Sequence, residues 1–252
     1  DTTAEDGVTY YYTVRAINGS VVSASYDTNK SITYKKLSVE IPQTTFSKTS
    51  GNVTFKVQYP ENITCGVPTT FKLSSEGTTD KVQYALYSLT TEDGTIVYDT
   101  SYGSNGKFFS KDSFDFTFYA SGTYYIRFAI MDTGVSPYVW FNTGLYGIKL
   151  VIDDKGYPTV ENVVADLKAQ CEKTCTTDYE KAVWFNDWLV ENCRYDFSYS
   201  YCAPEGALAR GLGTCEAYHR AYVMLLNSVG IATDRISGDG HVWTGVQLDG
   251  NW

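Results

Sequence analysis

The spacing of apolar side chains changes once along this chain, and that change limits the folds open to it. Up to Ile152 apolar and polar residues alternate in short runs, as on half-buried strands. Beyond Tyr157-Pro158-Thr159 the apolar residues recur every three or four positions, as on amphipathic helices. A chain of 252 residues with such a switch reads as multidomain, all-β modules followed by an α+β part.

The alternating runs lie at 53–59, 69–73, 82–88, 95–98, 113–119, 122–131 and 147–152. Turn signals separate them, among them Glu92-Asp93-Gly94, Ser104-Asn105-Gly106 and Asp154-Lys155-Gly156. Strands in this number and at this spacing predict an immunoglobulin-like sandwich over residues 37–156. Its Tyr and Phe residues serve as core and cross-strand pairs, with a glycan-binding face as the other use open to them. Before it, the runs 9–17, 21–26 and 32–34 flank Asn18-Gly19. Residues 1–36 resemble the closing strands of a fibronectin type III module, too few to bury a sandwich core by themselves.

After the switch, 159–174 reads as a helix. Thr177-Asp178-Tyr179-Glu180 then forms a capping-box pattern opening a second helix to about 192, with Ala182, Val183, Phe185, Trp188 and Leu189 on its apolar stripe. A third begins where Gly211-Leu212-Gly213-Thr214-Cys215 runs into Tyr218, Ala221, Tyr222, Leu225, Leu226 and Val229, stopping at Gly230. Cys215 therefore falls at a helix N-terminus, where unpaired N–H groups and the helix dipole favour a thiolate. Farther on, Gly238-Asp239-Gly240 precedes a strand at 241–248 that ends at Asp249-Gly250 and puts His241 and Trp243 on one face. A helix-start thiol and a strand-held imidazole are the parts of a cysteine nucleophile and its base, and Trp243 would shield the pair from water. The chain has two histidines. The other, His219, lies one turn along the helix from Cys215 and is badly directed to deprotonate it. Asp239 would point alongside His241 rather than behind it. The plain alternative is a buried, inert cysteine and a structural histidine.

Residues 184–195 (WFNDWLVENCRY), 203–230 (APEGALARGLGTCEAYHRAYVMLLNSVG) and 240–252 (GHVWTGVQLDGNW) resemble the transglutaminase-like superfamily of cysteine enzymes, its bacterial extracellular members in particular. The resemblance implies a papain-like core over 157–252, incomplete at its C-terminal end. Cys215 matches the nucleophile and His241 the base, and an acidic third member is expected on a strand beyond Trp252, without which turnover would be weak. Two positions depart from the family pattern: Thr244, where many relatives carry Asn, and His219, where a small residue is usual.

A net charge of −9 argues against nucleic acid as a partner, and no apolar run of about 18 residues suggests a membrane span. Residues 1–7 show no secretion signal. The Tyr, Thr, Ser, Asn and Gly usage of the β region still points to an extracellular or cell-surface protein. Of the six cysteines, Cys193 and Cys202 flank a loop that a disulfide would close. Cys171 and Cys175, at helical i and i+4, pair poorly with each other, so a bridge from that helix to Cys193 or Cys202 is equally open. Their spacings lack the tight knuckles of a structural zinc site, and no metal or cofactor is expected. The expected function is cysteine-dependent acyl transfer on a protein or peptide amide, a cell-wall peptide included. That chemistry is a peptidase or amidase with water as acceptor, a transglutaminase with an amine. The alternative is a non-catalytic adhesion or binding protein using the domain as a scaffold.

Overall fold

The computed structural model describes residues 8–11, 17–18, 21–22, 31–33, 41–100 and 111–252. Two compact units divide the chain, Asp1–Ile41 and Pro42–Trp252. In the first, β1 (Thr9–Tyr11) pairs antiparallel with β4 (Ser31–Thr33), and β2 (Ile17–Asn18) with β3 (Val21–Val22). The rest of the strands expected before residue 37, and the turn expected at 104–106, lie outside the described residues.

The second unit opens with nine strands: β5 (Gln43–Ser50), β6 (Val53–Pro60), β7 (Pro68–Glu76), β8 (Val82–Thr91), β9 (Ile96–Tyr98), β10 (Ser113–Thr117), β11 (Gly122–Asp132), β12 (Val139–Asn142) and β13 (Ile148–Ile152). They form two antiparallel sheets, β10-β7-β6-β5 and β12-β11-β8-β9, with β13 also on β11. Alternation decides which faces meet. Val53, Phe55 and Val57 of β6 and Tyr124, Ile126, Phe128 and Ile130 of β11 are buried in one shared core, where the Phe71 and Phe128 rings meet at a tilt, 5.3 Å apart, between the sheets. The sequence did not reveal β5 and β12. β5 is an edge strand with no fully buried residue, and β12 spans four residues.

Helix α1 (Val160–Cys171) starts at Thr159, whose side chain caps Asn162 N, and α2 (Asp178–Asn192) starts at Thr177 with the complete capping box to Glu180. There follow β14 (Arg194–Tyr195), a π-helical turn (Gly206–Arg210), β15 (Leu212–Gly213), α3 (Cys215–Ser228), β16 (Thr233–Gly238) and β17 (His241–Val246). β14 and β15 pair in parallel. β16 and β17 form a hairpin about Asp239 and Gly240, both left-handed with φ of 52° and 72°, as a two-residue hairpin turn requires. Phe185, Leu189, Ala217, Ala221, Leu225, Leu226 and Ile231 form a second core around α3. The two cores adjoin without a spacer. Ala203 is buried in the sandwich core, with Tyr157 and Tyr201 packed against it, and Asp99 N donates to Ser200 O at 2.7 Å.

Candidate active site

The nucleophile candidate is placed by a short, crowded segment. Gly211 is left-handed at φ 70° and closes the π-helical turn. A Cβ at Gly213 would sit 2.7 Å from the Ala217 Cβ, so only glycine lets β15 lie this close to the first turn of α3. β14 holds β15 from the other side, with Arg194 N bonded to Gly211 O at 3.0 Å and Asp196 N to Gly213 O at 2.9 Å. Cys215 is thus the first residue of α3 and partly exposed.

The same pairing sets Tyr195 opposite Gly213, and the Tyr195 phenol neighbours the Cys215 thiol and backbone. Burial first, and then the neighbouring Cys215 thiol, push the Tyr195 phenol above its ordinary pKa. It therefore stays a neutral O–H at neutral pH. Tyr195 carried a signal in the sequence, an aromatic residue just past a helix, but nothing there showed that it meets Cys215. The loop after it turns about Asp196, whose carboxylate accepts from Ser198 N at 2.9 Å, Ser200 N at 2.8 Å and Tyr201 N at 3.0 Å. Burial raises the Asp196 pKa, but the bonds from Ser198, Tyr201 and Ser200 outweigh it and hold the carboxyl below the usual range.

His241 opens β17 opposite Gly238. Its ring meets Trp243 edge to face at 4.9 Å, so the two share a face, and Trp243 is 50% exposed. Cys215 and His241 both line a cleft of about 850 Å³ and an adjoining, more apolar hollow of about 370 Å³ that Tyr195, Tyr218 and Trp243 help to line. The structure thus brings the two expected residues to one site.

The far wall of the larger cleft comes from the sandwich: Asp93, Gly94, Thr95 and Ile96 of the β8–β9 turn, with Asp99. Glu216 ties that wall to the helical part. Arg235 grips it through two nitrogens at 3.0 and 2.7 Å, and Arg220 Nε donates to it at 2.6 Å while Arg220 Nη1 reaches Thr95 Oγ1 at 3.3 Å. Burial raises the Glu216 pKa, yet Arg235 and Arg220 together pull it below the carboxylate norm, so the group stays ionised. Local sequence reading missed this cluster because its members are brought together only by the fold.

His219 is buried, and its Nδ1 bonds Thr244 Oγ1 at 2.8 Å. Two side chains 25 residues apart in the chain thus meet as one contact between α3 and β17. Burial, then Arg235, lowers the His219 pKa, leaving the ring neutral at neutral pH. Asp239 is an exposed turn residue.

All six cysteines are thiols. Burial, then the neighbouring Cys175 thiol, pushes Cys171 up to about 12, and Cys202, in the large cleft, is raised chiefly by burial. Among the described residues, no three His, Cys, Asp or Glu side chains are grouped to hold a metal, and no helix is long and apolar enough to cross a membrane.

The family profile of the transglutaminase-like superfamily matches residues 165–252, a span that holds Tyr195, Cys215 and His241 and leaves out the sandwich. No curated protein and no solved structure matches the chain.

Proposed function

We propose that the protein performs cysteine-dependent acyl transfer on protein or peptide amides, as an extracellular enzyme whose immunoglobulin-like module precedes a papain-like core. One observation carries the reading. The thiol at the start of α3 shares a cleft with the imidazole at the start of β17, and Tyr195 lines the adjoining hollow with both. His241 accepts the proton of the Cys215 thiol. Cys215 Sγ then attacks the amide carbon, and negative charge gathers on the carbonyl oxygen, where the neutral Tyr195 O–H is available as a donor. His241 returns its proton to the leaving amine as the C–N bond breaks and a thioester remains. Water releases the acyl group in a peptidase or amidase, and an amine takes it in a transglutaminase. A bacterial cell-surface setting accords with the β modules and their polar, Tyr-rich composition.

The test is alkylation by iodoacetamide followed by peptide mapping. Cys215 should be the fastest of the six thiols at pH 7, and His241→Ala should slow it. Cys215→Ala should abolish amide cleavage or amine incorporation while the protein stays folded. Activity that survives Cys215→Ala, or a Cys215 no faster than Cys175, would sink the proposal.

A further inference from the structure

Arg210 ends the π-helical turn that leads into Cys215, and its surroundings are unusual for an arginine. Its side chain is only 7% exposed. The guanidinium lies over three rings, Tyr201 at 4.2 Å, Tyr119 at 4.6 Å and Phe116 at 5.1 Å. Nη2 donates to Thr117 O at 2.8 Å and to Glu205 Oε1 at 3.2 Å, while Nε has no hydrogen-bond partner. Phe116, Thr117 and Tyr119 belong to β10 and the turn after it, so the sandwich grips the segment that presents the thiol.

Stability does not explain this arrangement. Burying a guanidinium and a carboxylate costs about as much as their attraction returns, and apolar substitutes of like volume are often as stable or more so. Glu205 shows the cost, since burial raises its pKa against the opposing pull of Arg210. What a buried, stacked, forked arginine does supply is a fixed position. From there to Cys215 the chain has no slack. A Cβ at Gly206 would meet Leu212 O at 2.8 Å, and one at Gly213 would meet Ala217 at 2.7 Å, so a shift at Arg210 must pass along β15 to the start of α3.

We infer that Arg210 is a positioning residue for the Cys215 thiol, and that the β10 end of the sandwich is a working part of the cysteine site. The inference rests on Cys215 being the nucleophile.

The experiment uses the full chain and the rates of iodoacetamide alkylation of Cys215 and Cys175 at pH 7. Arg210→Met/Glu205→Gln removes both buried charges together, so no unpaired buried charge is left behind. Tyr119→Leu removes one ring and leaves the ion pair, and it decides alone if the double variant does not fold. In each, Cys215 should slow about tenfold or more, within the roughly hundredfold that about 1 Å of misplacement costs a reacting group, with Cys175 unchanged. With a cleavable peptide amide, kcat should fall while KM holds. An unchanged Cys215 rate in a folded variant, or Cys215 and Cys175 changing together, would overturn the inference. A Cys215 no faster than Cys175 in the unaltered protein would instead overturn the nucleophile reading, and this inference with it.

Discussion

The residues proposed to do chemistry and the residues that hold them show themselves differently. Cys215 and His241 stood out because their local settings, a glycine-lined helix start and a strand opening after a Gly-Asp-Gly turn, are written in consecutive residues. His219 and Thr244 gave no such sign of belonging together, since α3 and β17 carry them and only packing joins them at 2.8 Å. The contact has a pH signature. Burial, then Arg235 and Arg220, lowers the His219 pKa in the folded protein, with Glu216 opposing, while the unfolded chain keeps a value near ~6.5. Between those values the unfolded state binds more protons than the folded one. The stability that neutral His219 contributes is therefore whole above ~6.5 and is lost as pH falls through the folded value. His219→Gln keeps a partner for Thr244 without a titrating ring. The fall in urea midpoint from pH 7.5 to pH 5 should be smaller in that variant than in the unaltered protein, and an equal fall would show that the loss comes from other groups.

Helices were legible to within a few residues because capping chemistry is local. Thr159 and Thr177 begin α1 and α2 where their side chains accept backbone N–H groups, and Thr177→Ala should cost about 1 kcal/mol in urea denaturation. Elements without a buried stripe were not legible. β16 reads TDRISG and is exposed along nearly its whole length, so no alternation marks it, and the π-helical turn occupies only five residues, too few to display a period. The β14–β15 pair escaped for a third reason, being two residues long on each side and joined across the loop that Asp196 shapes. Yet this pair sets the site, because it fixes both Tyr195 and the approach to Cys215. Gly213→Ala tests that directly. The added methyl would lie 2.7 Å from the Ala217 Cβ with a backbone amide of Ala207 at 3.5 Å behind it, so β15 must move away from α3. Overpacking of this kind costs about 1–3 kcal/mol. The denaturation midpoint should fall and Cys215 alkylation should slow, whereas a variant with native stability and native Cys215 reactivity would show that the segment has room after all.

At the scale of the molecule, the change of hydrophobic period near Gly156 marks a change of architecture, and residues 42–252 nonetheless form one compact unit. Alternation cannot show this, because the groups that join the two parts are single side chains far apart in the chain. Ala203 enters the sandwich core at 1% exposure, Tyr98 and Tyr201 pack ring to ring at 5.5 Å, Arg220 reaches Thr95, and Arg210 lies among Phe116, Tyr119 and Tyr201. The two parts depend on this junction unequally. Residues 42–156 hold almost all of one core, with both sheets intact, and lose little but Tyr157, Tyr201 and Ala203 at its margin when separated. Residues 157–252 lose the Phe116 and Tyr119 rings and the Thr117 carbonyl around Arg210, leave Glu205 beside a newly wetted partner, and strip the cover from Ala203. Calorimetry of 42–252 should therefore give a single cooperative transition, 42–156 alone should still unfold cooperatively, and 157–252 alone should melt below 42–252 by several degrees or lack a sharp transition, since ~1 kcal/mol shifts a domain of about this size by 4–8 °C. Two separate transitions in 42–252, the second coinciding with that of isolated 157–252, would mean that the junction contributes no stability and that the parts merely adjoin.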